Sequence, residues 1–177
     1  MGLARYFVFE RDNDWLVTLD GAPLGRHGDR PAAIASAIIM ADLNGLKAAN
    51  DELGHAAGDQ LLRRAGEVLN SVIEKPSHAA RIGGDEFAIL LPETDEEAGE
   101  AMTQAIQDLV AINNTFYPDL TLSLSMGSAT AHQGERMENV VKRADFAMLD
   151  AKRQHYIELQ HDRRRQVQGV PPIAVAS

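Results

Sequence analysis

The sequence contains no cysteine, few aromatic residues and no uninterrupted apolar run long enough to span a bilayer. Aromatic side chains make up only 5% of its 177 residues. Without cysteine, neither a disulfide framework nor a thiolate metal site can form. A membrane-spanning helix needs about 20 consecutive apolar residues, and a signal-peptide pattern is missing too. These absences lead us to expect a cytoplasmic protein that does not insert into membranes.

Positive charge is also scarce. Lysine and arginine number 17 against 26 aspartates and glutamates, which gives a net charge of −9. Such a balance argues against wrapping nucleic acid or lying on an anionic membrane. An anionic small ligand would need local lysines, backbone amides or a metal ion. Hydrophobic residues make up 45% and charged residues 24%. These values are typical of one globular domain with a substantial core.

Apolar periodicity divides the chain into short strands and helices. Strands are predicted over residues 6–9, 15–19, 34–41 and 120–126, with a closing edge strand over 156–159. Helices are predicted over 45–53, 57–73 and 137–153, and a capping box from Thr94 to Glu97 opens a further helix. Residues 21–30 are predicted to be a connection, and the tail from Gln166 to be disordered. This order predicts an α/β sandwich with a mixed, mainly antiparallel central sheet flanked by helices.

The run from Arg81 to Leu91 carries the strongest local signal. Gly83 and Gly84 separate two apolar stretches. Glycine adopts positive φ without steric cost, so this pattern predicts a tight hairpin. Asp85 and Glu86 follow at once, and two carboxylates on such a rigid bend can hold a divalent cation. The glycines would also let a bulky anionic ligand approach the main chain. The structural alternative is an ordinary solvated hairpin.

A second group of residues follows the first strand of the predicted core. Asp42 lies at the carboxyl end of that strand, where α/β proteins tend to place ligand-binding groups. Asn44, Gly45, Leu46 and Lys47 come next and open a helix. Free amides at a helix start, a permissive glycine and a lysine could together cradle a phosphate. The alternative is that Asn44 only caps the helix and Lys47 is solvated.

Polar groups also surround the corner between the next two helices. Asn50 precedes this corner, and His55 and Asp59 follow it. A carboxylate can accept hydrogen bonds from the donors on the guanine edge, and an amide can also read a base edge. Structurally, Asp59 could instead be a helix-start charge and Asn50 a local hydrogen-bonding residue. His55 is interpreted as a packing or hydrogen-bonding histidine rather than a ligand.

Taken together, these motifs resemble the GGDEF domain of diguanylate cyclases. The resemblance covers Ala37 to Leu159 in unbroken order. Residues 1–31 then form a short N-terminal ββ segment and connection, 32–160 the GGDEF domain, and 161–177 a flexible tail. The motifs are Asp42-Leu-Asn-Gly-Leu-Lys47, Asn50-Asp-Glu-Leu-Gly-His-Ala-Ala-Gly-Asp59, Arg81-Ile-Gly-Gly-Asp-Glu-Phe87, Leu124-Ser-Met-Gly127 and Arg143-Ala-Asp-Phe-Ala-Met-Leu-Asp-Ala-Lys152.

The resemblance implies the palm-like fold that GGDEF domains share with nucleotide cyclases and some polymerases. It implies an enzyme that condenses two GTP molecules into cyclic di-GMP and releases two pyrophosphates. Two copies would meet as a transient or stable homodimer across the active site, each holding one GTP. Mg²⁺ or Mn²⁺, two ions per GTP, would be the cofactor. GTP and the second copy are the expected partners.

The resemblance also implies roles for individual residues. Asp42 and Asp85 correspond to metal ligands, with the Leu43 carbonyl as a third donor and Glu86 beside a second metal. Asp85 or Glu86 could assist deprotonation of the 3′-hydroxyl, a choice that the sequence leaves open. The remaining residues bind substrate. The family's contacts to the triphosphate correspond to Lys47, Lys152 and the Gly45–Leu46 amides, with Gly84 beside them. Its guanine-reading residues correspond to Asn50 and Asp59.

The sequence departs from the family pattern at three places. The motif Leu-Thr-x-Leu-x-Asn-Arg, which usually lies on a helix before the first core strand, is missing. The Arg-x-x-Asp of the inhibitory product site is replaced by Glu74 and Ser77, so we expect no product inhibition through that site. Tyr156 stands where the family often has a phosphate-contacting arginine, for which Arg153 is a candidate substitute.

Two rival functions stay open at this stage. The first is a catalytically inactive GGDEF module that binds GTP or cyclic di-GMP as a sensor, which the missing leading helix and Tyr156 favour. The second is a domain that only binds another protein. The retained acids Asp42, Asp85 and Glu86 argue against both, because a binding-only domain has less need of a complete metal site.

Overall fold

A computed structural model describes residues 6–11, 14–19, 22–27, 36–132 and 134–167. Near the N-terminus, three strands form an antiparallel sheet in the order β1-β2-β3. They are β1 (Tyr6–Arg11), β2 (Asp14–Leu19) and β3 (Ala22–His27). The two strands predicted in this segment are confirmed. Residues 28–35, including the start of the strand predicted from residue 34, lie outside the described residues.

The prediction of a connection over residues 21–30 was wrong where β3 forms. The prediction failed because it rested on Pro23 and Gly25, and both residue types usually weaken a strand. They are tolerated here since β3 is an outer strand of its sheet. The pairing of β2 with β3 also shifts register between Val17 and Thr18, the partners of Gly25 and Pro23. Proline is found in sheets at such edges and irregularities.

The main body of the chain is a four-stranded sheet with the order β5-β6-β4-β7, covered by four helices. All three strand pairs are antiparallel. The strands are β4 (Ala37–Leu43), β5 (His78–Arg81), β6 (Glu86–Leu91) and β7 (Leu124–Thr130). The helices are α1 (Leu46–Leu53), α2 (His55–Val72), α3 (Glu96–Thr115) and α4 (Met137–Val167). The predicted α/β class and mainly antiparallel pairing are confirmed.

Strand β4 is buried along its whole length and separates two hydrophobic clusters. Ile39 and Ala41 pack with α2 and α3 on one face of the sheet. Ile38 and Met40 pack with α4 on the other face. Because side chains alternate along a strand, Asp42 follows Met40 onto the α4 face. The sheet therefore places this acid beside the middle of α4, where Lys152 lies.

Helix α4 lies unusually close to β7 because Gly127 has no side chain. A Cβ built at Gly127 would lie 2.1 Å from the backbone nitrogen of Met148 and 2.4 Å from the Ala144 carbonyl oxygen. The backbones of strand and helix are therefore in direct contact at this point. Lys152 comes one turn after Met148, so this contact determines where its side chain can reach.

Two predictions about helix ends were wrong: the cap of α3 and the edge strand expected where α4 continues. The cap of α3 is Asp95, whose carboxylate accepts from the Ala98 amide at 2.9 Å. The Thr94 hydroxyl instead donates to the Pro92 carbonyl. The edge strand over 156–159 does not form, because α4 continues to Val167 without an intervening glycine or proline. Helix α4 thus overlaps the start of the predicted tail, and residues 168–177 lie outside the described residues.

The strand predicted over 120–126 begins only at Leu124. Side chains hold much of the alternating segment before it. Asn114 accepts from the Leu122 amide at 2.7 Å and donates to its carbonyl at 2.8 Å. The buried Arg64 donates to the Leu120 carbonyl and stacks on Tyr117. The alternation of apolar and polar residues shows which side chains face the core. It does not show that the backbone groups of Leu120 and Leu122 pair with side chains instead of a strand.

None of the helices in the described part of the chain combines the length and the apolar character that crossing a membrane requires.

Candidate functional site

Asp42 is a buried acid at the end of β4, with only 3% of its surface exposed. Its Oδ2 atom lies 2.7 Å from the Lys152 ammonium on α4. Its Oδ1 atom is equally buried and has no hydrogen-bond partner among the described residues. A buried carboxylate oxygen without a partner is costly. This atom is therefore the clearest sign that the site is built to hold something else.

Burial and neighbouring charges act in opposite directions on the pKa of Asp42. Burial raises the pKa of Asp42 above its ordinary value, although the Lys152 hydrogen bond and charge work against this, and the nearby Asp85 raises the pKa further. Burial by itself would lower the pKa of Lys152. The hydrogen bond and charge of Asp42, with the charges of Asp85 and Tyr156, outweigh it, and the pKa is raised. Lys152 is therefore protonated at neutral pH.

The signature turn forms the hairpin between β5 and β6, as predicted, but neither Gly83 nor Gly84 takes the positive φ that the prediction assumed. The amides of Ile82 and Gly83 both donate to the Glu86 carbonyl. The Arg81 guanidinium donates to the carbonyls of Gly83 and Gly84 at 3.1 and 2.6 Å, which ties the tip of the turn to its own strand. Sequence reasoning gave Arg81 no such role. These hydrogen bonds link the tip of the turn to both strands of the hairpin.

The two signature acids take different positions. The Asp85 carbonyl accepts from the Leu43 amide at 2.8 Å, so Asp85 lies beside the end of β4. Glu86 is the cross-strand partner of Asp42. Its carboxylate folds back over its own turn, since a Cβ at Gly83 would lie 2.6 Å from Glu86 Oε2. The charge of Asp85 therefore acts on Asp42. The carboxylate of Glu86 instead lies over Gly83 in the hairpin.

Asn44 is not the helix cap that the alternative interpretation assumed. It is buried, and its Nδ2 donates to Ser123 Oγ while its Oδ1 accepts from Ser125 Oγ, both at 3.0 Å. Its amide also donates to the Ser123 carbonyl. Asn44 thereby ties the segment after β4 to β7. The sequence hinted at this only through the alternating serines of the predicted strand.

The segment after Asn44 begins helix α1. Gly45 precedes the helix with φ 76°, a left-handed conformation that favours glycine. In the described part of the chain, no side chain caps this helix start. Its first amides are therefore available to an anion. Leu46 is half-buried and Lys47 is exposed beside these amides, as a phosphate cradle requires.

The predicted base-reading residues meet at the corner between α1 and α2. Asn50 lies directly against Gly58, where a Cβ would be only 2.1 Å from Asn50 Oδ1. Asp59, the next residue of α2, is exposed. The fold thus brings the predicted amide and carboxylate to one corner. His55 begins α2 and is exposed, so its position does not support the packing role predicted for it, while the alternative hydrogen-bonding role stays a prediction.

Asp42 and Asp85 are donors of the kind that a divalent ion shared with phosphate groups would use. Among the described residues, no three histidine, aspartate or glutamate side chains lie close enough to hold a metal by themselves. Mg²⁺ is usually bound by one or two carboxylates together with substrate phosphates and water. Asp42, with its open buried oxygen, and Asp85 meet that smaller requirement.

Among the residues that depart from the family pattern, Glu74 and Tyr156 are exposed and Ser77 is half-buried. The Glu74 backbone carbonyl accepts from the Ser77 amide in a turn before β5. Tyr156 lies on α4 one turn beyond Lys152, with its ring against His155. Arg153 lies 4.0 Å from Asp150 on the same exposed surface.

The chain is similar to proteins of a known family over most of its length. The sequence model for the diguanylate cyclase GGDEF domain matches residues 27–156. The signaling protein YkoW of Bacillus subtilis is 40% identical over 119 residues, which is 65% of this chain and 15% of YkoW. Diguanylate cyclase DgcP of Pseudomonas aeruginosa is 34% identical over 118 residues, 66% of this chain and 18% of DgcP. The chain therefore spans less than a fifth of the length of these two relatives.

Solved structures show the same fold. The active GGEEF domain of a diguanylate cyclase from Vibrio cholerae aligns with a TM-score of 0.63 and 29% identity, covering 68% of this chain and 78% of that domain. The GGDEF domain of DgcB from Caulobacter crescentus, in complex with c-di-GMP, aligns with a TM-score of 0.61 and 26% identity. It covers 71% of this chain and 76% of that one.

Proposed function

Since the chain belongs to the GGDEF domain family of diguanylate cyclases, we propose that it condenses two GTP molecules into cyclic di-GMP. The observation that carries this proposal is the buried Oδ1 of Asp42, which lacks a partner among the described residues while Asp85 and Lys152 lie beside it. An acid at this depth is expensive unless it serves a ligand. A metal–triphosphate complex is the ligand that fits two acids and a lysine.

Each part of GTP has a candidate partner in this chain. Asn50 and Asp59 would read the guanine edge. Lys47, the Gly45–Leu46 amides and Lys152 would hold the triphosphate, with Gly84 beside it. Asp42, Asp85 and the Leu43 carbonyl would hold Mg²⁺ or Mn²⁺, with Glu86 near a second ion. The bound metal would neutralise phosphate charge, which is a main requirement of phosphoryl transfer.

The chemical step is an in-line displacement at phosphorus. The 3′-oxygen of one GTP forms a bond to the α-phosphorus of the other, and the bond to the departing pyrophosphate breaks. The proton of the 3′-hydroxyl passes to a carboxylate of the signature hairpin, Asp85 or Glu86. Two such steps produce cyclic di-GMP and two pyrophosphates. The Arg81 clamp on the hairpin carbonyls would keep these acids in place between steps.

One copy of the chain supplies half of this reaction. A single site holds one GTP, and its 3′-hydroxyl needs the α-phosphate of a second. We therefore assign the active form to a homodimer with the two sites face to face. Turnover per protomer should rise with protein concentration until the dimer is saturated.

The direct test is incubation of the purified chain with GTP and Mg²⁺, followed by chromatographic separation of cyclic di-GMP. Asp85→Asn should reduce product formation by roughly 100-fold or more, because a charge at the reacting phosphates is lost. Glu100→Gln, which changes an exposed acid on α3, is the matched control and should retain full activity. Circular dichroism should show that both variants keep the fold.

Absence of cyclic di-GMP from a concentrated, folded sample would rule out the enzyme. Binding of GTP without turnover would then support the inactive sensor module, which Tyr156 at the usual arginine position favours. A sample that binds neither GTP nor cyclic di-GMP would indicate a domain that acts only through another protein. Full activity in Asp85→Asn would show that the proposed metal site is wrong.

A further inference from the structure

We propose that Lys152 is an internal counter-ion that occupies Asp42 in the free protein and moves to the triphosphate when nucleotide arrives. Metal and nucleotide would then bind with positive coupling. This inference rests on the proposed function, because it concerns the state of the same metal and GTP site before either ligand binds. It starts from the 2.7 Å contact between Lys152 Nζ and Asp42 Oδ2.

The two partners differ in how easily they can move. Asp42 is the next-to-last residue of the fully buried strand β4, and its side chain is only 4% exposed. The Lys152 side chain is 29% exposed and ends a flexible four-carbon stem. Helix α4 itself is held against β7 at Gly127. Release of the contact therefore requires a swing of the lysine side chain, while strand and helix stay in place.

The contact serves the free protein because a buried carboxylate without a cation is costly. Lys152 removes that cost at Oδ2 and leaves Oδ1 open. A divalent ion that reached Asp42 alone would lie close to the ammonium and be repelled by it. A triphosphate carries several negative charges and would draw the ammonium away. The ion is thus accepted readily only together with the nucleotide, and by linkage each ligand strengthens the other's binding.

Metal binding to free protein tests this directly, without any turnover. Mn²⁺ affinity is measured by electron paramagnetic resonance for the wild type, Lys152→Gln and Lys142→Gln. Lys142 is an exposed lysine of the same helix, so its variant matches the change in net charge. Without nucleotide, Lys152→Gln should bind Mn²⁺ more tightly than the wild type by about 5- to 150-fold, the usual range of coupling between sites. Lys142→Gln should resemble the wild type.

The same variants show whether coupling depends on the lysine. A non-hydrolysable GTP analogue should tighten Mn²⁺ binding more in the wild type than in Lys152→Gln. Equal Mn²⁺ affinity of wild type and Lys152→Gln without nucleotide would overturn the inference. So would a failure of every variant to bind Mn²⁺. If the wild type makes cyclic di-GMP while these affinities are equal, the inference fails and the proposed function stands. If the wild type makes no cyclic di-GMP while the coupling between Mn²⁺ and nucleotide is observed, the proposed enzyme activity fails and the counter-ion role stands.

A second measurement covers the case in which Lys152→Gln does not fold. The wild type is labelled with ¹⁵N-lysine, and the ammonium resonance of Lys152 is assigned with Lys152→Arg. A hydrogen-bonded ammonium should be visible in the free protein, and it should shift when Mg²⁺ and the GTP analogue are added together. A resonance that is exchange-broadened in the free protein, or unmoved by the two ligands, would overturn the inference.

Discussion

The amide of Asn50 occupies the space that a side chain at Gly58 would need: a Cβ there would lie 2.1 Å from Asn50 Oδ1. The first residue is on α1 and the second on α2, so the glycine lets the two helices place an amide beside Asp59. The corner that we assign to guanine therefore depends on a residue with no functional group of its own.

Gly58→Ala should weaken GTP binding by roughly tenfold and reduce the preference for GTP over ATP, because the methyl group displaces the Asn50 amide. Calorimetric titration with non-hydrolysable analogues of both nucleotides measures this. Gly66→Ala is the matched control on the same helix, where a Cβ would meet nothing within 4 Å. Unchanged nucleotide affinity in Gly58→Ala would show that Asn50 does not read the base.

Gly127→Ala should destabilise the fold by about 1–3 kcal/mol or more, because its methyl group would collide with backbone atoms of α4 that cannot rotate away. Urea denaturation measures the free energy of unfolding. In the control variant Gly66→Ala the same quantity should rise by about 0.5–1 kcal/mol, since alanine is the better helix former at that open position. Equal stability of Gly127→Ala and wild type would contradict the close packing of α4 on β7.

Cyclic di-GMP should inhibit its own synthesis only weakly. The inhibitory site that the family resemblance implies needs an arginine, and this chain has the exposed, negatively charged Glu74 there, with Ser77 in place of the aspartate. Initial rates at increasing product concentration measure the effect. The double variant Glu74→Arg with Ser77→Asp should gain non-competitive inhibition. Strong non-competitive inhibition of the wild type would disprove the prediction.

The pH dependence of stability should include a contribution from Glu135. Hydrogen bonds from Arg143, together with one from the His132 amide, lower the pKa of Glu135 below its ordinary value of 4.5. A carboxyl group whose pKa is lowered by folding stabilises the protein above its unfolded pKa, and this stabilisation is lost as pH falls through the folded pKa.

The difference in unfolding free energy between wild type and Glu135→Gln should therefore be largest near neutral pH and shrink below pH 4.5. It should be modest, because the Arg143 side chain is 40% exposed and its charge is screened by solvent. Glu138→Gln, an exposed change in the first turn of α4, provides the comparison. A difference that does not vary with pH would indicate that the hydrogen bonds matter through packing alone.

Local patterns predicted most of the fold correctly. The hairpin around Gly83 and Gly84 was placed correctly, although neither glycine takes the positive φ on which the prediction rested, and α2 followed from apolar spacing. Errors arose where two local signals competed. Thr94 and Asp95 are both good helix caps, and only the geometry of the preceding turn selects Asp95. Pro23 and Gly25 argued against a strand that an outer position tolerates.

By itself, the sequence determined which residue types are available: the acids at 42, 85 and 86, the lysines at 47 and 152, and a Gly-Gly pair between two apolar stretches. Those are properties of short segments, and short segments obey local sterics and periodicity. Only the tertiary structure decided which of these residues meet. Asp42 and Lys152 are 110 positions apart, and Asn44 and Ser125 are 81 apart. Their contacts depend on sheet register and on the packing of α4 at Gly127, which no local pattern encodes.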